Sequence, residues 1–319
     1  NSLTLSFRPS REASRCESVF SIVPSISRNR IRIAAGPATF IYVVPHSASM
    51  NHERILAVHD ISCVGRCSLT VALPIISAAG IECSGLPTAV LSTHTGGFKG
   101  FTYRDLTEDM VPIMEHWKTL DITFDAFYTG FLGSFEQIDI VCDLVEQLSH
   151  DGTTVYVDPV MADEGKLYGV FGPDFPAGMR RLCEKADVLM PNLTELCLML
   201  GLEWKPGPYT HGYVEEMLEH AKAFGAKRIV LTGISYEKGR VGAVYKDYET
   251  GETGEVMRPE IPGYYHGTGD VFGSALVGAC ESGLPLHDAV EAAIDLTVDS
   301  ILDTYDSGED VRDGVNFEK

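Results

Sequence analysis

A glycine-rich turn near the end of the chain carries residue types that suit phosphate chemistry. The stretch His266-Gly-Thr-Gly-Asp270 leads directly into an apolar segment with small residues, which predicts a helix beginning at the turn. Gly267 and Gly269 let the backbone turn tightly and approach a ligand closely. The free N–H groups of the first helical turn then form an anion site that favours a phosphate. Asp270 either caps this helix or takes a proton from a hydroxyl that attacks a phosphate.

Two further carboxylates follow a run of β-branched residues. The run 153–157 predicts a central strand, and it ends in Asp158-Pro-Val-Met-Ala-Asp163. Two carboxylates at the carboxyl end of a buried strand suit a hydrated Mg²⁺ or a nearby alkali ion. Alternatively, Asp158 only ends the strand and Asp163 is an acidic loop residue that binds no ion. Tyr168 follows on a Gly-rich loop and is a candidate flap residue.

Other strand ends place polar side chains at the same predicted edge. Asp60 and Ser62 follow the first strand, where open parallel sheets bind their ligands, although Asp60 also suits an ordinary turn. Asn192 and Glu195 form a capping-box pattern, which by itself explains both residues. Further polar residues lie in turns or at strand ends: Thr95, Tyr128, Thr232 and Gly233.

The elements that must position these residues alternate between strand and helix from Arg54 onward. Alternating strands and helices of this length predict a mostly parallel, three-layer α/β/α sheet. Two segments, 241–245 and 255–258, predict an antiparallel hairpin at the sheet edge. Residues 81–91 predict one or two β-segments broken by Gly85 and Pro87, and we expect the acidic C-terminal tail to be frayed.

Charge and composition divide the chain into two parts. Residues 1–49 contain six Arg, no Lys and two Glu, while the remainder has a net charge of −24. The strong negative charge of residues 50–319 disfavours binding to nucleic acid and to anionic membranes. No apolar run is long enough to span a bilayer. We interpret residues 1–50 as an unstructured or non-native extension, with a transit peptide or a functional arm as alternatives, and residues 51–319 as one domain.

The G-T-G-D turn with its small-residue helix resembles the signature of the ribokinase superfamily. Further matches, from about Arg54 to the C-terminus, resemble its pyridoxal/pyridoxamine kinase branch. They are the H-T-G loop at His94–Gly96, the D-P-V-M-x-D segment that begins at Asp158, and the N-x-x-E motif that begins at Asn192.

This resemblance implies an ATP-dependent kinase of the ribokinase-like fold that converts a vitamin B6 vitamer into its 5′-phosphate. Asp270 would be the base, and the amides of Gly267 and Gly269 the anion hole. The implied substrate-binding residues are Asp60, Ser62, Thr95, Tyr128 and Asp270. The implied nucleotide-binding residues are Asp158, Asn192, Thr232, Gly233, Thr268 and Gly269. Asp163 and Glu195 would hold Mg²⁺.

The sequence departs from the family at two of these positions. Asp60 stands where the pyridoxal kinases often have Ser, which leaves the preferred vitamer open. Met190 stands where the family has Thr, which weakens the expected monovalent-cation (K⁺) site. The resemblance also implies a homodimer. The eight scattered Cys are typical of reduced thiols in a cytosolic protein, so we expect a cytoplasmic enzyme, organellar only if residues 1–49 are a transit peptide.

Two alternative functions remain open at this point. A hydroxymethylpyrimidine kinase would have the same fold and chemistry, although the H-T-G loop favours B6. A non-catalytic small-molecule binding protein could use the same fold, but its mark would be loss of the base, and Asp270 is present. A sugar kinase lacks support because the paired-Gly sugar motif is missing, and no G-x-x-x-x-G-K-[ST] P-loop occurs.

Overall fold

The computed structural model describes residues 53–318, so the expectation for residues 1–50 lies outside the described part. Within it, nine strands form one sheet in the order β11-β10-β9-β8-β5-β4-β1-β2-β3, and β6 and β7 form a separate hairpin. The strands are β1 Arg54–Ser62, β2 Glu82–Leu91, β3 Tyr103–Asp105, β4 Ala126–Thr129, β5 Thr154–Val157, β6 Ala162–Asp163, β7 Lys166–Leu167, β8 Val188–Leu189, β9 Arg228–Ile234, β10 Arg240–Asp247 and β11 Thr253–Pro259.

The sheet is parallel in its centre and antiparallel at both edges. β1 pairs in parallel with β2 and β4, and the parallel pairing continues through β5 and β8 to β9. β10 and β11 are antiparallel at one edge, and β3 is antiparallel to β2 at the other. The predicted sheet and its edge hairpin are therefore confirmed.

Helices cover both faces of this sheet. They are α1 Leu69–Ala78, α2 Thr107–Thr119, α3 Phe135–Leu148, α4 Phe175–Cys183, α5 Leu193–Leu200, α6 His211–Ala221, α7 Thr268–Glu281 and α8 Leu286–Ser307. Strand β1 shows the division: Ile55 and Ala57 pack with α1, α7 and α8, whereas Leu56 and Val58 pack with α2 to α6. Because successive strand residues point to opposite faces, one buried strand contributes to both cores. The predicted three-layer α/β/α class is confirmed.

Two local predictions were wrong. Gly85 and Pro87 do not break the second strand, which runs unbroken through both. Pro87 lies opposite His59, just before the register between β1 and β2 shifts, and proline is tolerated beside such an irregularity. The C-terminal tail is not frayed either, since Val315 is fully buried beside Val71 and Val271.

This architecture brings the carboxyl ends of the parallel strands to one edge of the sheet. The turn that precedes α7 and the N-terminus of α5 lie at the same edge, together with the loop that follows β5. No helix among residues 53–318 combines the length and apolarity needed to cross a membrane.

Candidate active site

A cavity of about 480 Å³ lies at this edge of the sheet. Ten of the fourteen predicted site residues line it: Asp158, Asp163, Asn192, Glu195, Thr232, Gly233, Gly267, Thr268, Gly269 and Asp270. They come from four separate stretches of the chain, whereas Asp60, Ser62, Thr95 and Tyr128 are not part of the lining. The fold therefore assembles the predicted nucleotide, metal and catalytic residues around one space.

The glycine turn has the geometry of an anion site. Gly267 is the N-cap of α7, with φ 78° and ψ −1° in the left-handed region, and a Cβ there would lie 2.1 Å from the Arg66 carbonyl oxygen. Both the dihedral angle and the contact require glycine. A Cβ at Gly269 would meet nothing within 4 Å, so the start of α7 faces open space. Free helical N–H groups beside such a space favour a phosphate.

Asp270 lies in the first turn of α7 and lines the same cavity. Burial raises its pKa to about 7; the nearby charge of Asp60 adds to this, and the Ser68 backbone N–H opposes it. A carboxylate whose pKa is near neutrality suits proton transfer at physiological pH. The site therefore contains a group with the acidity of a general base next to an anion-binding helix end.

Asp60 lies at the carboxyl end of β1 and is held by two hydroxyl groups. Its Oδ1 accepts a hydrogen bond from Ser68 Oγ at 2.6 Å, and its Oδ2 accepts one from Ser62 Oγ at 3.0 Å. Burial raises the pKa of Asp60, and the two hydroxyl groups oppose this. Ser62 is 1% exposed and its hydroxyl donates to Asp60, so we assign Ser62 a supporting role instead of the predicted direct contact with substrate.

The H-T-G loop lies against the glycine turn. His94 is buried; its Nε2 hydrogen-bonds to the Arg312 carbonyl oxygen, and its Nδ1 accepts from the Gly96 N–H at 3.1 Å. Its ring centroid is 5.1 Å from that of His266, which lines the cavity. His94 thus fixes the loop through backbone contacts, while Thr95 beside it is exposed and available to a ligand.

Tyr128 does not reach the cavity, contrary to the sequence prediction. It is fully buried in β4, on the sheet face that packs against α7. A Cβ at Gly273 of α7 would lie 2.3 Å from the Tyr128 hydroxyl oxygen, so the phenol lies directly under the helix. Strand alternation sends this side chain into the core, and we therefore remove Tyr128 from the candidate substrate-binding residues.

Asn192 and Glu195 form the predicted capping box at the start of α5. Glu195 also ties two segments together, because its Oε1 accepts from the Met161 N–H at 3.1 Å and its Oε2 from the Asn192 N–H at 3.0 Å. Glu195 is 3% exposed, and burial raises its pKa to about 8 against the effect of these N–H groups. Glu195 therefore has a structural role, in which it caps α5 and ties the Met161 segment to it.

The carboxylates of this region repel one another. The pKa of Asp158 lies well above its usual range through burial and the charges of Glu195 and Asp270, and that of Asp163 is raised mainly by burial. In residues 53–318, no three His, Cys, Asp or Glu side chains are placed to hold a metal ion directly. A cation that keeps much of its water shell still fits, since it would relieve the repulsion without needing several direct ligands.

The remaining wall of the cavity is apolar and was not predicted from the sequence. It includes Val241, Ala243, Ile261, Ile294, Val298 and Ile301. β10, the segment after β11, and α8 supply these residues, and in the sequence each is an ordinary core residue. Only their convergence beside Thr232 and Gly233 shows that they form a surface for a flat, apolar group such as a nucleotide base.

The chain is similar to a known family, to several relatives and to solved structures. The family model described as phosphomethylpyrimidine kinase matches residues 73–314. A pyridoxal kinase of Arabidopsis thaliana is 25% identical over 238 residues, which cover 70% of this chain and 73% of the relative. A hydroxymethylpyrimidine/phosphomethylpyrimidine kinase of Rhizobium meliloti is 26% identical over 234 residues, covering 72% and 83%.

Solved structures extend the similarity to the whole fold. A crystal structure from Bacteroides thetaiotaomicron, assigned as a phosphomethylpyrimidine kinase, is 36% identical, with a TM-score of 0.81 and coverage of 86% of this chain and 93% of that one. A second crystal form of that protein, which contains pyridoxal, gives a TM-score of 0.79 and coverage of 83% and 93%. A pyridoxal kinase from Lactobacillus plantarum is 31% identical, with a TM-score of 0.77 and coverage of 83% and 94%.

Proposed function

Since this chain belongs to the phosphomethylpyrimidine kinase family, we propose that it transfers the γ-phosphoryl group of ATP to the 5′-hydroxymethyl group of a B6 vitamer. Pyridoxal, pyridoxamine and pyridoxine are the candidate substrates, and the product is the 5′-phosphate used in vitamin B6 salvage. The observation that carries the proposal is Asp270, with a pKa of about 7, beside the open helix end at Gly269.

In this reaction Asp270 accepts the proton of the attacking hydroxymethyl group. The backbone N–H groups from Gly267 to Gly269 bind the charge that develops on the transferred phosphoryl group, and the α7 dipole adds to this. Catalysis then consists of positioning and electrostatic stabilisation, as is general for phosphoryl transfer. The chain need not form a covalent intermediate, because the acceptor hydroxyl attacks the phosphorus directly.

The other predicted site residues divide between the two substrates. Asp60 and Thr95 orient the vitamer ring, with Ser62 supporting Asp60. The nucleotide phosphates face Asp158, Asn192, Thr232, Gly233, Thr268 and Gly269. The apolar wall formed by β10 and α8 receives the base.

Mg²⁺ fits the carboxylates at Asp158, Asp163 and Glu195. Burial raises the pKa of each, the charge of Glu195 adds to this at Asp158 and that of Asp163 adds at Glu195, so a cation would stabilise their ionised forms. Asp163 and Glu195 would hold the ion through its water ligands, and the ion would neutralise phosphate charge. A monovalent cation such as K⁺ has weaker support, since Met190 presents a thioether and not an oxygen to this cavity.

The second candidate is hydroxymethylpyrimidine kinase, which the family description and the Rhizobium meliloti relative favour. We favour the B6 substrate because His94 holds an H-T-G loop against the glycine turn and because the 36% identical relative has been crystallised with pyridoxal. A non-catalytic binding protein of this fold is the third candidate, and the environment of Asp270 argues against it. We also propose a cytoplasmic homodimer.

A competition assay tests this assignment. Purified protein is given ATP and Mg²⁺ with equal concentrations of pyridoxal, pyridoxamine, pyridoxine and hydroxymethylpyrimidine, and each phosphorylated product is quantified. We expect a B6 phosphate to form with kcat/KM at least ~10-fold above that for hydroxymethylpyrimidine, a ratio that a few differing contacts supply. Preferential phosphorylation of hydroxymethylpyrimidine would establish the second candidate, and no product at all would favour the binding protein.

A further inference from the structure

Ser68, between β1 and α1, has a backbone conformation that serine rarely adopts. Its φ is 60° and its ψ is −133°, close to the first central position of a type II′ turn, where glycine is the usual residue. A side chain in this region is strained and persists only where surrounding contacts hold it. Strain of this kind is concentrated at functional sites, so the contacts of Ser68 are candidates for a functional role.

The hydroxyl of Ser68 does not serve its own helix. Ser68 is the N-cap of α1, where a serine oxygen usually accepts a hydrogen bond from the first turn, yet no such side-chain bond is present. The hydroxyl instead donates to Asp60 Oδ1 at 2.6 Å in a buried position. The backbone N–H of the same residue stabilises the charged form of Asp270. One strained residue therefore donates a hydrogen bond to Asp60 and places its backbone N–H beside the Asp270 carboxylate.

The C-terminal segment, residues 309–318, holds this turn in place. The Arg66 N–H donates to the Asp313 carbonyl at 2.9 Å, and Arg66 Nε lies 2.9 Å from Glu318 Oε1. A Cβ at Gly314 would lie 2.7 Å from the Arg66 carbonyl oxygen, so the two backbones are in direct contact. That same carbonyl packs against Gly267 of the anion site. The loop that carries Ser68 is thus fixed between the end of the chain and the glycine turn.

We propose that Ser68 is a positioning residue for phosphoryl transfer, which orients Asp60 through its hydroxyl and Asp270 through its backbone N–H. This inference rests on the proposed function, in which Asp60 orients the vitamer ring and Asp270 receives the proton of its hydroxymethyl group. A residue that bonds to Asp60 and lies against Asp270 restricts the separation of the two carboxylates, and with it the distance between the base and the reacting hydroxyl. Small errors in such a distance reduce rates strongly.

Two substitutions separate this role from a structural one. Ser68→Ala removes the hydroxyl and keeps the strained Cβ, whereas Ser68→Gly removes the hydroxyl and relieves the strain. We expect both variants to lower kcat/KM for pyridoxal by at least ~10-fold, with the Kd for ADP within ~2-fold of the wild-type value. The Tm of Ser68→Gly should equal or exceed that of the wild type, because glycine suits this conformation. The loss of activity would then be due to the missing hydroxyl in both variants, and the difference in Tm between them to the strained Cβ.

Thr210→Ala and Thr210→Gly provide the matched control. Thr210 is an ordinary N-cap, whose side chain accepts from the Tyr213 N–H at the start of α6, so these variants should lower the Tm and leave kcat/KM unchanged. Wild-type kinetics in Ser68→Gly would overturn the proposal. So would a loss of pyridoxal turnover that is matched by lost ADP binding and a lower Tm. Failure of the proposed function is distinguishable, since the wild-type protein itself would then phosphorylate no B6 vitamer.

Discussion

Asp270→Asn tests the centre of the proposed mechanism with little change in shape. Asparagine is nearly isosteric, and it suits a helix start as well as aspartate does, so the anion site at Gly267 should stay intact. It cannot accept the substrate proton. Loss of a positioned general base costs about 10²–10⁴ in rate, and we expect kcat to fall at least ~100-fold while ATP and vitamer binding stay within a few-fold.

The pKa of Asp270 gives a second, quantitative expectation for the wild-type enzyme. Because the base must be ionised and its pKa is about 7, about a tenth of the enzyme is active at pH 6 and about nine tenths at pH 8. The base-dependent limb of kcat/KM, which reports the ionisation of the free enzyme, should therefore rise roughly tenfold between these two values. Activity decreases as the pH falls, because a protonated general base cannot accept the substrate proton.

The assay measures kcat/KM and kcat from pH 6 to 8 and the unfolding midpoint for the same protein samples. Asp288→Asn is the matched control, since Asp288 is also an acidic residue in the first turn of a helix, α8, but does not line the cavity. The control should keep its kcat, and any loss of stability should be at most ~1 kcal/mol. A kcat for Asp270→Asn within a factor of three of the wild-type value would refute the general-base assignment.

Three further predictions follow from the same structure. Glu195→Gln can keep the capping-box bond to the Asn192 N–H, but its amide NH₂ then faces the Met161 N–H that Glu195 also binds. The free energy of unfolding should therefore fall by about 1–3 kcal/mol, while activity falls and depends more steeply on Mg²⁺; unchanged kinetics would leave only the capping role. Folding raises the Glu195 pKa from 4.5 to about 8, so stability from this group is present at low pH and lost as the pH rises. The metal-free Tm should therefore fall between pH 5 and 8, and Glu195→Gln should flatten that slope. Gly314→Ala forces a Cβ against Arg66 and should lower kcat/KM for the vitamer several-fold. Gly308→Ala is the control: Gly308 also has a positive φ, but a Cβ there would meet no atom within 4 Å, so this variant should lower only the Tm. Equal kinetics in the two variants would contradict a role for the C-terminal contact. Protein that starts at Met50 should keep its Tm and turnover, and a loss of several degrees would show that residues 1–49 pack on the domain.

Local patterns were sufficient for much of the fold. The β-branched run before Asp158 forms a central strand, and the Asn192–Glu195 pattern forms its capping box. Each of these depends on residues within a few positions of one another, where propensity and hydrogen bonding act directly. The unbroken second strand was missed because tolerance of Pro87 depends on its pairing with β1, whose register shifts beside it, and this pairing lies outside the local pattern.

The sequence by itself determined the chemistry available at the site. Gly267, Gly269 and Asp270 are adjacent, so a phosphate-binding helix start with a carboxylate beside it is a local property. The carboxylates at Asp158 and Glu195 likewise follow strand ends, and parallel strands bring such ends to one edge. The resemblance to a kinase family rests on these same short segments.

Only the tertiary structure decided how this chemistry is tuned and oriented. The acidity of Asp270 depends on burial and on Asp60, which lies far away in the chain. From its position before α1, Ser68 would be expected to cap the helix, but its hydroxyl bonds to Asp60. The C-terminal segment that secures the Ser68 loop acts through contacts such as that between Arg66 Nε and Glu318, two residues that are 252 positions apart in the chain. Tyr128 was misassigned for the same reason, since its burial under α7 depends on packing between distant elements. Electrostatic and packing energies depend on distances in space, and the order of residues along the chain does not specify those distances until the chain has folded.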